Sequence, residues 1–316
     1  MLGQKSLSPK KKGRKMERSN PQQRKHAKLG AEIRREIDAR GIIARQDMAL
    51  GLASFIRPRI RGKRGWVEGI KQPWNGGVLT IYGPELDSGD LGVLLALLAA
   101  AVAQPAAQSR PCGQQNGLLP DATPRENAAA GAETILVQTT LADVSRKMGR
   151  DPCDGRAHAS IRASLRRLGG FVIEAAAGDA WAQTHLIAGS ADRGGAVSVA
   201  LSYRLTRAIL GDGSYSRIDM KAWAKLSPTA KILYHWLCAW RPGGGHCPPV
   251  HLDKLARHVW GQDAAQGATR RERRQQIRES LSQIADSAGW AWVPGDAPGV
   301  AMITAPSAPG GEATGA

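Results

Sequence analysis

Residues 141–173, LADVSRKMGRDPCDGRAHASIRASLRRLGGFVI, and residues 252–292, LDKLARHVWGQDAAQGATRRERRQQIRESLSQIADSAGWAW, decide the fold. Leu141, Val144 and Met148 lie on one face of a first helix, and Leu252, Leu255 and Val259 repeat that spacing 111 residues later. A polar turn follows, and then a second helical stripe: Ile161, Leu165 and Leu168 in one copy, Ile277, Leu281 and Ile284 in the other. Each second helix runs through a glycine into a strand-like segment, Phe171-Val172-Ile173 or Trp290-Ala291-Trp292. Helix, turn, helix and hairpin is the order of a winged helix-turn-helix, so the chain reads as an α+β protein with two such units in tandem.

Upstream of each repeat stands a serine that can cap a Leu-bearing helix. Ser88 precedes Leu91, Leu94, Leu95 and Leu98, and Ser227 precedes the run ending at Trp240. Val78–Tyr82, Ile135–Gln138, Ala182–Ile187 and Val197–Leu201 read as strands, while 104–133, rich in Pro, Gly, Ala, Gln and Asn, reads as a long loop or insertion. The first unit therefore spans 74–205 with that insertion, the second spans 212–305, and 306–316 is expected to be a disordered tail.

Charge divides the chain differently. The 316 residues carry 44 Lys plus Arg against 27 Asp plus Glu, a net charge of +17 that points to a polyanionic partner. Residues 1–64 hold 19 basic and 5 acidic side chains, net +14, which leaves +3 for the other 252 residues. Residues 1–25 have too few apolar side chains to offset the entropy of ordering, and 26–40 have only some helical spacing, so 1–70 is expected to be a basic, largely disordered arm. Such an arm neutralises phosphates and steepens salt dependence without reading sequence.

No apolar run reaches the ~20 residues of a membrane span, and the start lacks the pattern of a secretory leader. Four cysteines, Cys112, Cys153, Cys238 and Cys247, with no C-x-x-C pair, are too scattered for a disulfide framework. These features predict a soluble cytoplasmic protein with no membrane partner.

In a helix-turn-helix the second helix presents its outer face to the major groove. With Ile161, Leu165 and Leu168 inward at 100° per residue, Arg156, Ser160, Arg166 and Arg167 point outward and Arg162 lies on the flank. In the second copy the stripe begins only at Ile277, so Arg270, Arg271, Arg273 and Arg274 extend past the core, and Gln275 and Arg278 continue their face. Arg and Gln can bond two positions on one purine edge, which makes these the candidate DNA-binding residues.

Signals for catalysis are missing. The sequence has no G-x-x-x-x-G-K-[ST] phosphate loop, no H-x-H of the nicking type and no acidic cluster for two-metal chemistry. His235, Cys238, His246, Cys247 and His251 could be weighed as zinc ligands, but His235 and Cys238 sit in an apolar helix where Cys is usually a core residue. The expectation is no catalytic residue, no metal and no cofactor.

Several segments carry a family likeness: Tyr82-Gly83-Pro84-Glu85 with Asp90-Leu91, Arg217-Ile218-Asp219-Met220, TAKILYHWLCAW at 229–240, Val259-Trp260, and the Arg-rich 270–281 ending IRESL. With them, Trp74 to about Thr304 resembles the iteron-binding plasmid replication initiators of the RepC type on IncQ-like plasmids. The resemblance implies binding to directly repeated double-stranded origin DNA, opening of an adjacent AT-rich stretch, and recruitment of a separate plasmid-encoded helicase and primase. It further implies a bacterial cytoplasmic protein associated with plasmid or nucleoid. The basic residues 1–70 and the insertion 104–133 depart from the shared pattern. Whether a monomer or a homodimer binds, and which repeat is read, stay open. Rival readings are a winged-helix transcription regulator, a nucleic-acid enzyme such as a primase, and an RNA-binding protein using the arm.

Overall fold

The two repeats fold as two helix pairs, the first of them packed on one long apolar helix. A computed structural model describes residues 42–60, 62–74, 77–104, 109–111, 133–211, 214–241, 247–264 and 267–306. The N-terminal half contains β1 (Ile43–Asp47), α1 (Met48–Leu52), β2 (Ile56–Arg57), β3 (Trp66–Trp74), β4 (Gly77–Pro84), β5 (Leu86–Asp87), α2 (Ser88–Ala103) and β6 (Ser109–Pro111). Then come β7 (Glu133–Thr140), α3 (Leu141–Lys147), α4 (Gly155–Gly169), β8 (Val172–Ala177), β9 (Ala180–His185), β10 (Ile187–Arg193), β11 (Ala196–Leu201) and α5 (Tyr203–Leu210). The second half holds β12 (Tyr215–Asp219), α6 (Met220–Lys225), α7 (Pro228–Trp240), β13 (Val250–His251), α8 (Leu252–Trp260), α9 (Ala268–Ala288), β14 (Ala291–Pro294) and β15 (Val300–Thr304). The class is the mixed α+β read from the sequence.

Helix α2 is apolar on every side, and Asp90 through Val102 are all buried, as befits a helix surrounded by protein. It runs against β1, β7, α4 and α7, so it belongs to the centre of the whole molecule. Its cap is Asp87, one residue before the expected Ser88. The Asp87 carboxylate accepts from the Gly89 and Asp90 amides, and Asp90 accepts from the Asp87 amide in return. Ser88 Oγ instead donates to the Pro58 carbonyl at 2.6 Å. Ser227 caps α7 as read, accepting from the Ala230 amide.

The second unit closes simply: β13, β15 and β14 form a three-stranded antiparallel sheet beside α8 and α9. The first unit departs from that plan by carrying two hairpins. Strand β7 pairs with β11, which pairs with β10, whereas the hairpin directly after α4, β8–β9, joins β3 and β4 in a separate four-stranded sheet. Phe171 fixes this departure: its ring lies 4.9 Å from that of Phe55, and Gly83, at φ +148°, passes so close that a Cβ would sit 2.6 Å from the Phe171 ring. Only glycine fits there.

The disordered arm expected through residue 70 does not hold for the described residues from Ile43 on. From Ile43 the chain is folded: β1 is buried along its length and pairs with β12, Ile43 opposite Asp219 to Asp47 opposite Tyr215. Helix α1 packs on α7, and β2 pairs in parallel with β5. Basic composition hid this strand because its charges are matched: Arg204 pairs with Asp47 at 3.0 Å, and Arg45 stacks over Tyr215 at 4.6 Å. Ile43, Ala44, Leu50, Phe55 and Ile56 supply the buried apolar surface.

Residues 1–41, including the helical spacing at 26–40, lie outside the described residues, as does the tail from 307. Of the insertion, 105–108 and 112–132 lie outside as well, while Ser109–Pro111 pairs with β7. No described helix is long and apolar enough to cross a membrane. Buried side chains form one cluster through both halves; Trp223 of α6 lies against Gly92 of α2, where an added Cβ would meet its ring at 2.4 Å.

Candidate nucleic-acid interface

Helix α4 is amphipathic, with Ala157, Ile161, Ser164, Leu165 and Leu168 buried, so its outer face is set by the remaining positions. Arg156, Ser160 and Arg166 are exposed there. Arg162 on the flank is half-buried and held by Asp192 of β10, Nε to Oδ2 2.5 Å. That pairing keeps the Asp192 carboxyl below its ordinary range, chiefly through the hydrogen bond from Arg162.

Arg167 corrects the expected outward set. It turns inward, donating through Nε (3.0 Å) and Nη2 (2.6 Å) to Oδ1 of Asp90, whose side chain is fully buried. Arg64 meets the other oxygen of Asp90 at 3.0 Å and also reaches Asp87 at 2.7 Å. Asp90 is thus a buried carboxylate with two guanidinium partners and its own cap bond, the arrangement a buried charge requires. Arg167 ties α4 to α2.

Helix α9 starts at Ala268 and is 21 residues long, but its buried residues are Ile277, Ser280, Leu281 and Ile284. Its first turns therefore project beyond the core and carry Arg270, Arg271, Arg273, Arg274 and Gln275. Arg270 and Arg274 both reach back to Asp253 of α8; the Arg274 pair is bidentate, at 2.6 and 2.7 Å. The Arg274 hydrogen bond, and after it that of Arg270, holds the Asp253 carboxyl far below its ordinary range and raises the Arg274 guanidinium above its own. Arg273 donates to the Gln262 carbonyl at 3.0 Å and lies 5.2 Å over the Trp260 ring. Arg271 and Gln275 are exposed, and half-buried Arg278 approaches Gln275 Oε1 at 3.5 Å.

Two kinds of side chain result on α9. Arg270, Arg273 and Arg274 are oriented by partners on other elements or loops. Arg271, Gln275 and Arg278 meet only solvent, each other or Glu279 of the same helix among the described hydrogen bonds. The acidic partners Asp90, Asp192 and Asp253 were not legible as such: a lone Asp carries no spacing signal, and each pairs with an arginine on a different element.

The weighed zinc ligands are placed apart by chemistry. His235 Nε2 lies 2.6 Å from Gln46 Oε1, and burial lowers its pKa to about 4. Burial pushes the Cys238 thiol up to about 12. His251 caps α8, its Nδ1 accepting from the Asp253 amide. His246 lies outside the described residues, and among those described no group of three or more side chains is arranged to hold a metal.

The model of the replication protein C (RepC) family matches residues 80–306, well over half of the chain. The chain belongs to the RepC family of replication initiators. The match takes in α4, α8 and α9, so both arginine-bearing helices are part of the RepC pattern, while β1 to β3 precede it. Among solved structures, the crystal structure of SeMet derivatives of domains 2 and 3 of RctB is similar with a TM-score of 0.50 and 12% identity, covering 82% of this RepC chain and 96% of that one. A second crystal structure of RctB domains 2–3 gives 0.47 and 11%, covering 81% and 95%. At such identity the first likeness concerns the fold alone. No curated protein matches the sequence.

Proposed function

We propose that this RepC protein is a plasmid replication initiator that binds direct repeats, or iterons, in duplex origin DNA through two winged helices, α3–α4 and α8–α9. In this reading it opens an adjacent AT-rich stretch and passes it to a separate plasmid-encoded helicase and primase. The protein itself supplies binding and no catalysis, and it works in the bacterial cytoplasm on the plasmid. In this reading the domains are 74–205, to which β3 is added, and 212–305, with β1 and α1 packed between them.

The observation that carries this reading is the projection of the first turns of α9 past the core, with Arg271, Gln275 and Arg278 facing outward from a guanidinium pair fixed by Asp253. Oriented and solvent-facing cations side by side suit phosphate positioning and base readout respectively. Arg156, Ser160 and Arg166 supply the corresponding face of α4, flanked by Arg162. Arg167 has no part in it. Two fused, non-identical units favour direct repeats over a palindrome read by a symmetric dimer.

Footprinting on directly repeated origin DNA tests the assignment. Arg271→Ala with Arg278→Ala should weaken protection by about 1–3 kcal/mol for each base edge left without its guanidinium, with thermal stability unchanged. Protection and specificity equal to those of the parent protein would remove α9 from the interface.

A further inference from the structure

A cavity of about 510 Å3 opens between β8–β9, the end of β3, α1 and α5, away from the arginines of α9. That volume lies within the range of small-ligand pockets. Its floor is one face of a sheet: Ile173 stands opposite Thr184 and Ala175 opposite Ala182. Two alanines side by side on a strand pair leave flat room that larger side chains would fill. At the walls are two aromatic–cation pairs. The Arg204 guanidinium lies 4.3 Å over the Trp74 ring, and that of Arg207 5.7 Å over the ring of Tyr203, itself 42% exposed.

Arg204 is bound to Asp47 at 3.0 Å, yet its Nε is buried with no hydrogen-bond partner among the described residues. An unmet buried donor calls for an acceptor. Flat apolar floor, aromatic walls and guanidinium groups together suit a planar ring that carries acceptor oxygens and an anionic group.

We propose that this cavity takes one unpaired nucleotide, its base on the Ala175–Ala182 floor between Trp74 and Tyr203 and its oxygens toward Arg204 and Arg207. The inference rests on the origin-opening part of the proposed function, which leaves a strand without its partner. A base inside a duplex cannot present its face to such a floor, so the site discriminates single strand from duplex by access. A DNA single strand and a free nucleotide share this chemistry, and the strand is the source that opening would supply.

The test uses the full chain with a fluorescein-labelled oligo(dT), a duplex carrying the repeats, and dTMP as competitor. Ala182→Phe fills the floor from an exposed strand position, and Tyr203→Ala with Arg207→Ala strips one wall from an exposed helix face. Both should raise the Kd for oligo(dT) about tenfold or more, the scale of one base stack, while duplex binding stays within about twofold. If dTMP binds as tightly as the oligonucleotide and loses affinity in the same variants, the nucleotide site stands and its source is the free nucleotide. Unchanged oligo(dT) binding in both variants, or equal loss for oligo(dT) and duplex, would overturn the site. A parent protein that fails to protect the repeats but still binds oligo(dT) through this cavity would instead count against iteron binding.

Discussion

At the scale of single residues, the molecule uses its acids to orient cations and packs two histidines, buried His235 and half-buried His258, away from water. Asp90, fully buried, is shared by Arg64 and Arg167. His235 and His258 are neutral in the fold, with pKa values lowered to about 4 and about 3: burial dominates both, and for His258 the neighbouring His235 and Arg57 add to it. Unfolding returns each imidazole to about 6.5, so the unfolded chain binds more protons below that pH. The stability these two contribute is complete above about pH 6.5 and falls as pH drops toward their folded values. Denaturant unfolding should show stability declining by up to about 1.4 kcal/mol per histidine for each pH unit below 6.5. A flat profile between pH 6.5 and 5 would mean that the two rings are solvated.

Individual elements were legible wherever their signal is local. The stripes Leu141–Met148 and Ile277–Ile284 are helices because an apolar face every three or four residues has few other ways to be buried. What the spacing could not convey is which outward arginine keeps a partner on another element, because Asp253 lies 21 residues from Arg274 and Asp90 lies 77 from Arg167. The projecting turns of α9 therefore carry a testable internal brake. In Asp253→Asn, Arg270 and Arg274 lose their counter-charge and their fixed orientation. Affinity for random duplex DNA should rise and its log–log salt slope steepen by about one, while the ratio of repeat to random binding falls. Anisotropy titrations across salt on both duplexes measure this, and an unchanged ratio would mean that Asp253 orients nothing the DNA reads.

The whole molecule departs most from its sequence reading at the N-terminus, where composition and pairing give opposite answers. Net charge marks 1–64 as one basic segment, but pairing with β12 is long-range and leaves no mark on the composition of β1. The first 41 residues carry thirteen basic and four acidic side chains, net +9, and stand outside the described fold. From Ile43 onward the chain is a buried strand, and through α1 it packs on the second half. Two truncations separate these roles. Removal of 1–41 should leave the thermal transition in place and reduce the salt slope of binding, with affinity for repeat and random duplex reduced to the same degree, since a run of basic side chains acts through phosphates. Removal of 1–58 strips β1, α1 and β2, bares the apolar faces of β12 and α7, and should abolish the cooperative transition seen by circular dichroism. Were the shorter deletion to cost repeat binding selectively, the arm would read sequence; were the longer one to melt like the parent, the β1–β12 pairing would not join the two halves.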